Sequence, residues 1–455
     1  MPTLSIPRLR SRLNGRVIAP DDPRYDDART VFSGAIDRRP AAIVRVADAD
    51  DVAHVIAHAR ETGAELAVRS GGHSGAGHGV SEGGIVLDLA RMRALEIDPE
   101  SRTAWAETGL TAGEYTTAAA AHGLATGFGD TGSVGIGGIT LSGGVGYLVR
   151  KHGLTIDDLL AAEVVTADGE LVRADADSHP ELFWALRGGG GNFGVATRFR
   201  FRLHPVATVV GGMLLLPATP DVIAGFVAEA ERAPDELSTI ANVMPAPPMP
   251  FVPAAHHGKL VVLATLAYAG APEDGERAIA PFRALAEPLV DMLRPMRYPE
   301  VFPPEPEDYR PIPTVRTLFM DGIDRGAAET ILDQLGAATA PMAAVQLRVL
   351  GGAMARVPAD ATAFAHRKSR IMVNVAAMVM RRQELAVQES WVTKLAEALR
   401  QDDAGAYVGF LGDEGEERIR AAYPGATWDR LAAVKATYDP TNLFRLNHNV
   451  PPVSV

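Results

Sequence analysis

The stretch Arg69-Ser70-Gly71-Gly72-His73-Ser74-Gly75-Ala76-Gly77-His78-Gly79 decides how the rest of this 455-residue chain is read. It lies between two short apolar runs of strand type, 66–69 and 85–89. Glycine at this density lets backbone bend sharply, or approach something closely, with no Cβ in the way. Backbone amides lining a phosphate-bearing ligand are the usual reason. From this curve the lone imidazole of His73 is projected, and an ordinary pKa near ~6.5 leaves it mostly neutral and nucleophilic. A serine elbow and a metal site are the competing chemistries for such a loop. Gly72-His73-Ser74-Gly75-Ala76 is close to a Gly-x-Ser-x-Gly elbow, which keeps a serine hydrolase as an alternative, but such an elbow needs a helix directly after the serine. Gly75-Ala76-Gly77-His78-Gly79 cannot start one. His73 and His78 have no HExxH or carboxylate partners, so a hydrogen-bonded loop histidine is favoured over a metal ligand.

Two further glycine segments stand apart from the background. Residues 71–84, 127–146 and 188–194 hold 21 of the 45 glycines. Flexible linkers of this richness lack apolar residues, whereas these segments sit among strand and helix signals. Residues 41–46 read as a strand, and a helix opening at Asp50 closes at Gly63. Residues 95–98 with 103–107, and 159–166 with 170–174, read as hairpins, the second through Asp168-Gly169. Thr111 with Glu114 is a capping box, and Ser178 with Pro180 and Glu181 starts a short helix. Beyond 206, strands at 209–216, 259–268, 343–350, 371–379 and 407–411 alternate with helices at 220–232, 273–289, 326–335 and 383–400. Proline-rich 245–253 and 295–313 read as extended loops. Helix 428–437 stops at Asp439-Pro440, before a polar tail. This is an α+β pattern of sheets covered by helices.

Composition narrows the function classes. The formal charge is −12, from 44 Lys+Arg and 56 Asp+Glu, without a basic stripe to neutralise nucleic acid. There is no cysteine, which removes disulfides, thiolate metal sites and cysteine nucleophiles. No Gly-x-x-x-x-Gly-Lys-Ser/Thr occurs, which removes P-loop nucleotidases, and Gly135-Ile136-Gly137-Gly138-Ile139-Thr140 has Thr where the dinucleotide fingerprint needs its last glycine. Residues 1–20 alternate apolar residues with Arg and carry no secretory pattern. No run of 18 apolar residues exists. The expectation is a cytoplasmic enzyme with no membrane or nucleic-acid partner; oligomeric state is left open.

At this point the residues resemble a family. Arg69–Ser74, then Gly132-Ser133-Val134-Gly135-Ile136-Gly137-Gly138, Ser142-Gly143-Gly144-Val145-Gly146-Tyr147, His152-Gly153-Leu154-Thr155-Ile156-Asp157-Asp158 and Arg187-Gly188-Gly189-Gly190-Gly191-Asn192-Phe193-Gly194 look like the flavin-binding module of the vanillyl-alcohol oxidase/p-cresol methylhydroxylase (PCMH) superfamily. The ending Tyr438-Asp439-Pro440-Thr441-Asn442-Leu443-Phe444-Arg445-Leu446-Asn447 is similar to its berberine bridge enzyme-like branch. The resemblance implies a two-part FAD-binding domain of PCMH type, 1–205 (module about 37–205) and 415–455. It also implies an α+β substrate domain, 206–414, with an antiparallel sheet covered by helices. It implies FAD bonded through its 8α-carbon to His73. Cofactor contacts carried over are Arg69, Ser70, Gly71, Gly72, Ser74, Thr131, Gly132, Ser133, Gly135, Gly137, Gly138, Gly143, Gly144, Gly146, Gly153, Leu154, Asp157, Gly191, Asn192, Gly194, Val195, Asn447 and Asn449.

The departures from the family pattern are informative. Thr131 stands where many members place a second, cysteinyl flavin bond, so only one link can form. Three residues on, Val134 occupies the position of the family's oxygen gate, and valine there goes with oxidases. Tyr407 matches a tyrosine that serves as base or hydrogen-bond partner, but Tyr407-Val408-Gly409 lacks the family's Tyr-x-Asn asparagine, and a base would need its pKa lowered from ~10. The implied activity is hydride removal from a CH–OH of a sugar, alcohol or secondary metabolite, with reoxidation by O2. A dehydrogenase with another acceptor and a non-catalytic flavin- or ligand-binding protein are the alternatives. Asp157 and Asp158 read as a helix cap. The cluster His366-Arg367-Lys368 with Arg370 reads as a solvated strand end, with an anionic substrate as its alternative.

Overall fold

The computed structural model describes residues 4–305 and 309–453. Three parallel strands, Ala42–Arg45, Ile85–Asp88 and Leu66–Arg69, form a small sheet with Ile85–Asp88 in the middle, and Arg16–Ile18 adds an antiparallel edge. Apolar residues run nearly unbroken along these strands because both faces are covered. Helix Ala49–Thr62 crosses between the first two in chain order; Asp48, not Asp50, caps it, and Gly63 ends it at φ +70°. The carboxyl ends of the parallel strands converge on Arg45, Asp88 and Arg69, where open parallel sheets present ligands. The decisive glycine loop springs from this end.

A five-stranded antiparallel sheet follows. Both expected hairpins are present, Leu95–Asp98 with Thr103–Glu107 and Leu159–Val165 with Leu171–Asp175. Val195–Arg202, which the sequence reading did not assign, is inserted between them. Thr111 and Glu114 form the capping box of helix Ala112–Ala120. The helix Pro180–Leu186 is instead preceded by His179 in the left-handed region (φ +51°), with no side-chain cap from Ser178.

The third large sheet is antiparallel, in the order Val290–Asp291, Thr208–Pro217, Leu260–Tyr268, Leu237–Pro245, Met342–Val349, Ile371–Val379, Ile312–Met320, with Arg294–Arg297 also pairing the second. Helices Pro220–Arg232, Pro272–Arg283, Arg325–Gly336 and Leu385–Ala398 cover one face through Phe226, Phe282, Ile331 and Leu395. The other face meets the glycine segments through Ile240, Phe319 and Met372, which pack on Tyr147, Leu148, Val145 and Tyr407. Ile312–Met320 begins inside the stretch read as a proline-rich loop. Proline is tolerated there because this is an edge strand, which need not donate along its whole length.

The structure also departs from the sequence expectation at Tyr407 and Arg367. Tyr407 does not begin a strand; it precedes one turn of 3-10 helix, Val408–Phe410. Of the cluster read as a solvated strand end, Lys368 and Arg370 are exposed just before strand Ile371–Val379, but Arg367 is not. Arg367 is fully buried, donating to both carboxylate oxygens of Asp157 at 2.7 and 2.8 Å and to Thr362 at 2.8 Å. That pair ties the segment before strand Ile371–Val379 to the Leu154–Asp157 turn. The final helix, Ala426–Tyr438, packs Trp428 and Leu431 into the core that holds Phe183 and Trp184. Its fully buried Lys435 donates to Asp439 at 2.7 Å and to the carbonyls of Asn192 and Phe444 at 2.8 Å, so all three ammonium protons are used. Among the described residues no helix is long and apolar enough to cross a membrane.

Candidate active site

Arg69 ends its strand with one guanidinium nitrogen shared between Asp88 (2.8 Å) and the Ala28 carbonyl (2.7 Å), while Nη1 is buried without a partner. Ser70 spends its hydroxyl on the Thr108 carbonyl at 2.5 Å. The chain then crosses the second glycine segment backbone to backbone. A Cβ on Gly71 would lie 2.2 Å from the Gly135 nitrogen, and one on Gly135 2.2 Å from the Gly71 nitrogen. Glycine at both positions is therefore a packing requirement. Gly72 turns the loop at φ +72° and presents His73.

The His73 ring stacks on Phe32 at 4.1 Å between centroids, with Tyr309 edge-on beyond it, and its Nε2 lies 3.1 Å from the Ser133 hydroxyl. Burial pushes its pKa down to about 4, against the opposing hydrogen bond from Ser133. The imidazole is therefore neutral at physiological pH. A cavity of about 570 Å³ opens here, lined by Arg45, Arg69, Gly71, Gly72, His73 and Ser133 among others. Tyr407, Asn447 and Asn449 do not line it.

The remaining expected contacts divide into two groups. Some serve the protein itself. A Cβ on Gly146 would sit 1.5 Å from the Phe128 carbonyl oxygen, on Gly144 1.9 Å from Thr155 Oγ1, on Gly137 3.0 Å from Ser70 and on Gly194 2.6 Å from Val164. Gly143 and Gly153 have φ +121° and +93°, and Asp157 accepts from the Leu154 amide at 2.8 Å. Ser74 accepts from the His78 amide at 3.3 Å, and Gly132 accepts at its carbonyl from Gly113. Asn192 binds Gly189 and Val450, and Val195 is buried in its strand. Thr131 points its hydroxyl toward Asp130.

Others answer to nothing in the protein. Gly138 and Gly191 have ordinary φ, and a Cβ on either would meet no atom within 4 Å. Asn447 and Asn449 each bury an amide oxygen without a partner. Asn447 anchors itself beside Gly191 by donating to its carbonyl at 3.1 Å. Open glycines and orphaned carboxamides around crossing backbone fit a large cofactor held by amides and neutral side chains, as FAD is.

Tyr407 lies against the same segment. Its Oη accepts from the Gly144 amide at 3.1 Å, and it is 3% exposed. Burial pushes its phenol up to about 12, the reverse of what a resting base requires. Three features escaped the sequence reading: Phe32 under His73, the edge-to-face pair His78–His448 at 4.8 Å, and the 2.6 Å ion pair between Asp130 and Arg348. Each joins segments far apart in the chain, and no local pattern announces them.

Comparison with known proteins agrees with this construction. The model of the FAD binding domain matches residues 40–175, and the "Berberine and berberine like" model matches 406–451. (R)-6-hydroxynicotine oxidase of Paenarthrobacter nicotinovorans is 32% identical, covering 97% of both chains. Xylooligosaccharide oxidase of Thermothelomyces thermophilus is 27% identical over 96% of this chain and 93% of its own. The crystal structure of 6-hydroxy-D-nicotine oxidase from Arthrobacter nicotinovorans superposes with a TM-score of 0.87 at 28% identity, covering 96% of this chain and 98% of that one. With an amide-built cradle between a parallel sheet and a returning C-terminal segment, this chain belongs to the berberine bridge enzyme-like FAD-linked oxidoreductases of the vanillyl-alcohol oxidase/PCMH superfamily.

Proposed function

We propose that this enzyme is an oxidase with a single covalent flavin link, from His73 to the 8α-carbon of FAD. It removes a hydride from a CH–OH carbon of a small molecule and is reoxidised by O2 to give H2O2. The observation that carries the reading is the His73 imidazole. It is held neutral by burial, fixed between Phe32 and Ser133, and presented on the cavity by Gly72. A neutral ring keeps a nitrogen lone pair for bond formation, which a protonated ring lacks. The cofactor supplies the hydride acceptor when bound. Gly71, Gly135, Gly138 and Gly191 give its surroundings their bare backbone, and the amide oxygens of Asn447 and Asn449 accept from it.

Thr131 offers a hydroxyl where a thiol would form a second bond, so one attachment is made. Tyr407, protonated at neutral pH, hydrogen-bonds the substrate hydroxyl without acting as a standing base. Two relatives carry oxidase names, one for a hydroxynicotine and one for a xylooligosaccharide, which supports the oxidase reading over other electron acceptors. Val134 is half-buried in the bend before helix Ile136–Ser142, its carbonyl tied to the Ala112 amide at 2.8 Å. That tie fixes where its branched side chain stands. We assign it the oxygen gate.

Val134→Leu lengthens that side chain into a fixed space and should slow reoxidation of the reduced protein by O2 at least 10-fold, leaving flavin reduction by substrate within about 2-fold. Stopped-flow mixing with oxygenated buffer reads the first, and anaerobic mixing with substrate the second. Equal and slow reoxidation in parent and variant, without H2O2 release, would make the enzyme a dehydrogenase.

A further inference from the structure

One face of the large sheet carries a row of polar residues where apolar ones would be expected to pack. Asn242, Gln346, Asn374 and Thr317 stand directly opposite one another on the four strands Leu237–Pro245, Met342–Val349, Ile371–Val379 and Ile312–Met320. Two residues further along the same strands, and so on the same face, lie Ile240, Arg348, Met372 and Phe319. These pack on Val145, Tyr147 and Tyr407 or bond to the Val145 carbonyl and Asp130. The polar row is therefore one strand repeat, about 7 Å, from the residues that touch the candidate flavin cradle.

The hydrogen bonds give this row a direction. Arg348 can only donate, and its Nε meets the Gln346 side chain at 2.8 Å, so that atom is the amide oxygen. The Gln346 nitrogen must then donate to Asn242 Oδ1, at 3.1 Å. The Asn374 atom facing Gln346 Oε1, at 3.1 Å, must be its nitrogen. This leaves Asn374 Oδ1 as an acceptor at the end of the chain. It is buried and has no partner, and neither has the hydroxyl of its cross-strand neighbour Thr317. Two adjacent unsatisfied polar atoms, on residues only 6% and 1% exposed, are costly to keep unless something pairs with them.

The charges reaching this face are already cancelled. Asp130 pairs with Arg348, and Glu414 and Glu389 balance Arg418 and Arg316. We propose that Asn374 and Thr317 are specificity-determining residues that together receive a hydroxyl group of a neutral substrate, Asn374 Oδ1 accepting a hydrogen bond from it. A ligand lacking a donor leaves the acceptor unpaired, and a cationic amine finds no free counter-charge. This rests on the oxidase reading above and narrows its substrate to neutral, hydroxyl-bearing molecules.

The test uses the yellow, flavin-loaded protein with xylobiose, glucose and benzyl alcohol as neutral probes, and benzylammonium as the charged match to the last. Anaerobic titration followed by flavin absorbance gives a dissociation constant and, separately, any reduction. At least one neutral probe should bind saturably and more tightly than benzylammonium. Thr317→Val removes a hydroxyl that makes no bond in the free protein, so folding is retained. It should weaken that binding about 10-fold, with a smaller effect on the limiting reduction rate. Asn374→Asp keeps the side-chain shape, supplies a carboxylate, and should shift preference toward benzylammonium. Unchanged dissociation constants in both variants, tighter binding of benzylammonium by the parent, or no binding by any neutral probe would overturn the assignment. A probe that binds with the expected variant effects yet never reduces the flavin would overturn the oxidase reading while leaving the assignment standing.

Discussion

Tyr407 shows how burial at one residue decides between roles that the sequence leaves open. A phenol pushed up to about 12 is protonated throughout the working range. A standing tyrosinate base would make flavin reduction rise about tenfold per pH unit with no plateau below pH about 12, because only the deprotonated form would work. The hydrogen-bonding role predicts a flat profile from pH 6 to 9. Tyr407→Phe should lower the anaerobic reduction rate by about 10- to 100-fold, the range of one hydrogen bond to a group developing charge. The flavin-loaded fold should be unchanged. A steep rise with pH in the parent, or full rate in the variant, would remove this assignment. Tyr407 was visible in the sequence as a candidate; its protonation state was not, because that is set by burial, with Phe364 packed on the ring and the Gly144 amide opposing the shift, and both come from elsewhere in the chain. The glycines were legible for the opposite reason. Gly71 and Gly135 are demanded by backbone crossing, and such a demand leaves a dense local signature.

Among elements, turns and hairpins were the legible part, since Asp168-Gly169 and the Thr111–Glu114 box act over a few residues. Leu237–Pro245 and Ile312–Met320 were missed because their second faces carry Ser238, Asn242 and Thr317 in place of a clean apolar alternation. That face meets the glycine segments through Ile240 and Phe319, not a helix layer. The Arg367–Asp157 strut was misread since a run of His, Arg and Lys looks solvated until the partner carboxylate is placed beside it. Its burial makes a sharp prediction. Arg367→Met leaves the largely buried Asp157 carboxylate unpaired, which costs about 3–5 kcal/mol. The denaturant midpoint should fall accordingly, whereas Arg370→Met, at a side chain 56% exposed, should change it by less than about 1 kcal/mol. Equal effects from the two would show that the Asp157 pair is not a strut.

At the scale of the whole molecule, the C-terminal return through Lys435, Asn447 and Asn449 closes the cradle that residues 69–194 begin. The assembly buries neutral histidines: burial lowers His73 and His448 to about 4 and His78 and His152 to about 3. Each binds its proton in the unfolded chain near ~6.5 but resists it in the folded one. Stability is therefore full above pH 6.5 and lost as pH falls toward 4 and 3. Asp158, whose carboxyl is held up by burial, opposes this as a single group. The melting temperature of the flavin-free protein should decline steadily between pH 6.5 and 4; a maximum near pH 4.5 would contradict the burial of these rings. Everything proposed for the site turns on one molecule of FAD being bonded to this chain at His73. Denaturing mass spectrometry of the purified yellow protein tests it most directly. The expected result is the mass of the chain plus one FAD, with the flavin on the peptide containing His73 and none on Thr131, and its complete loss in His73→Ala. A bare chain mass, with all the flavin released into the acid supernatant, would contradict it.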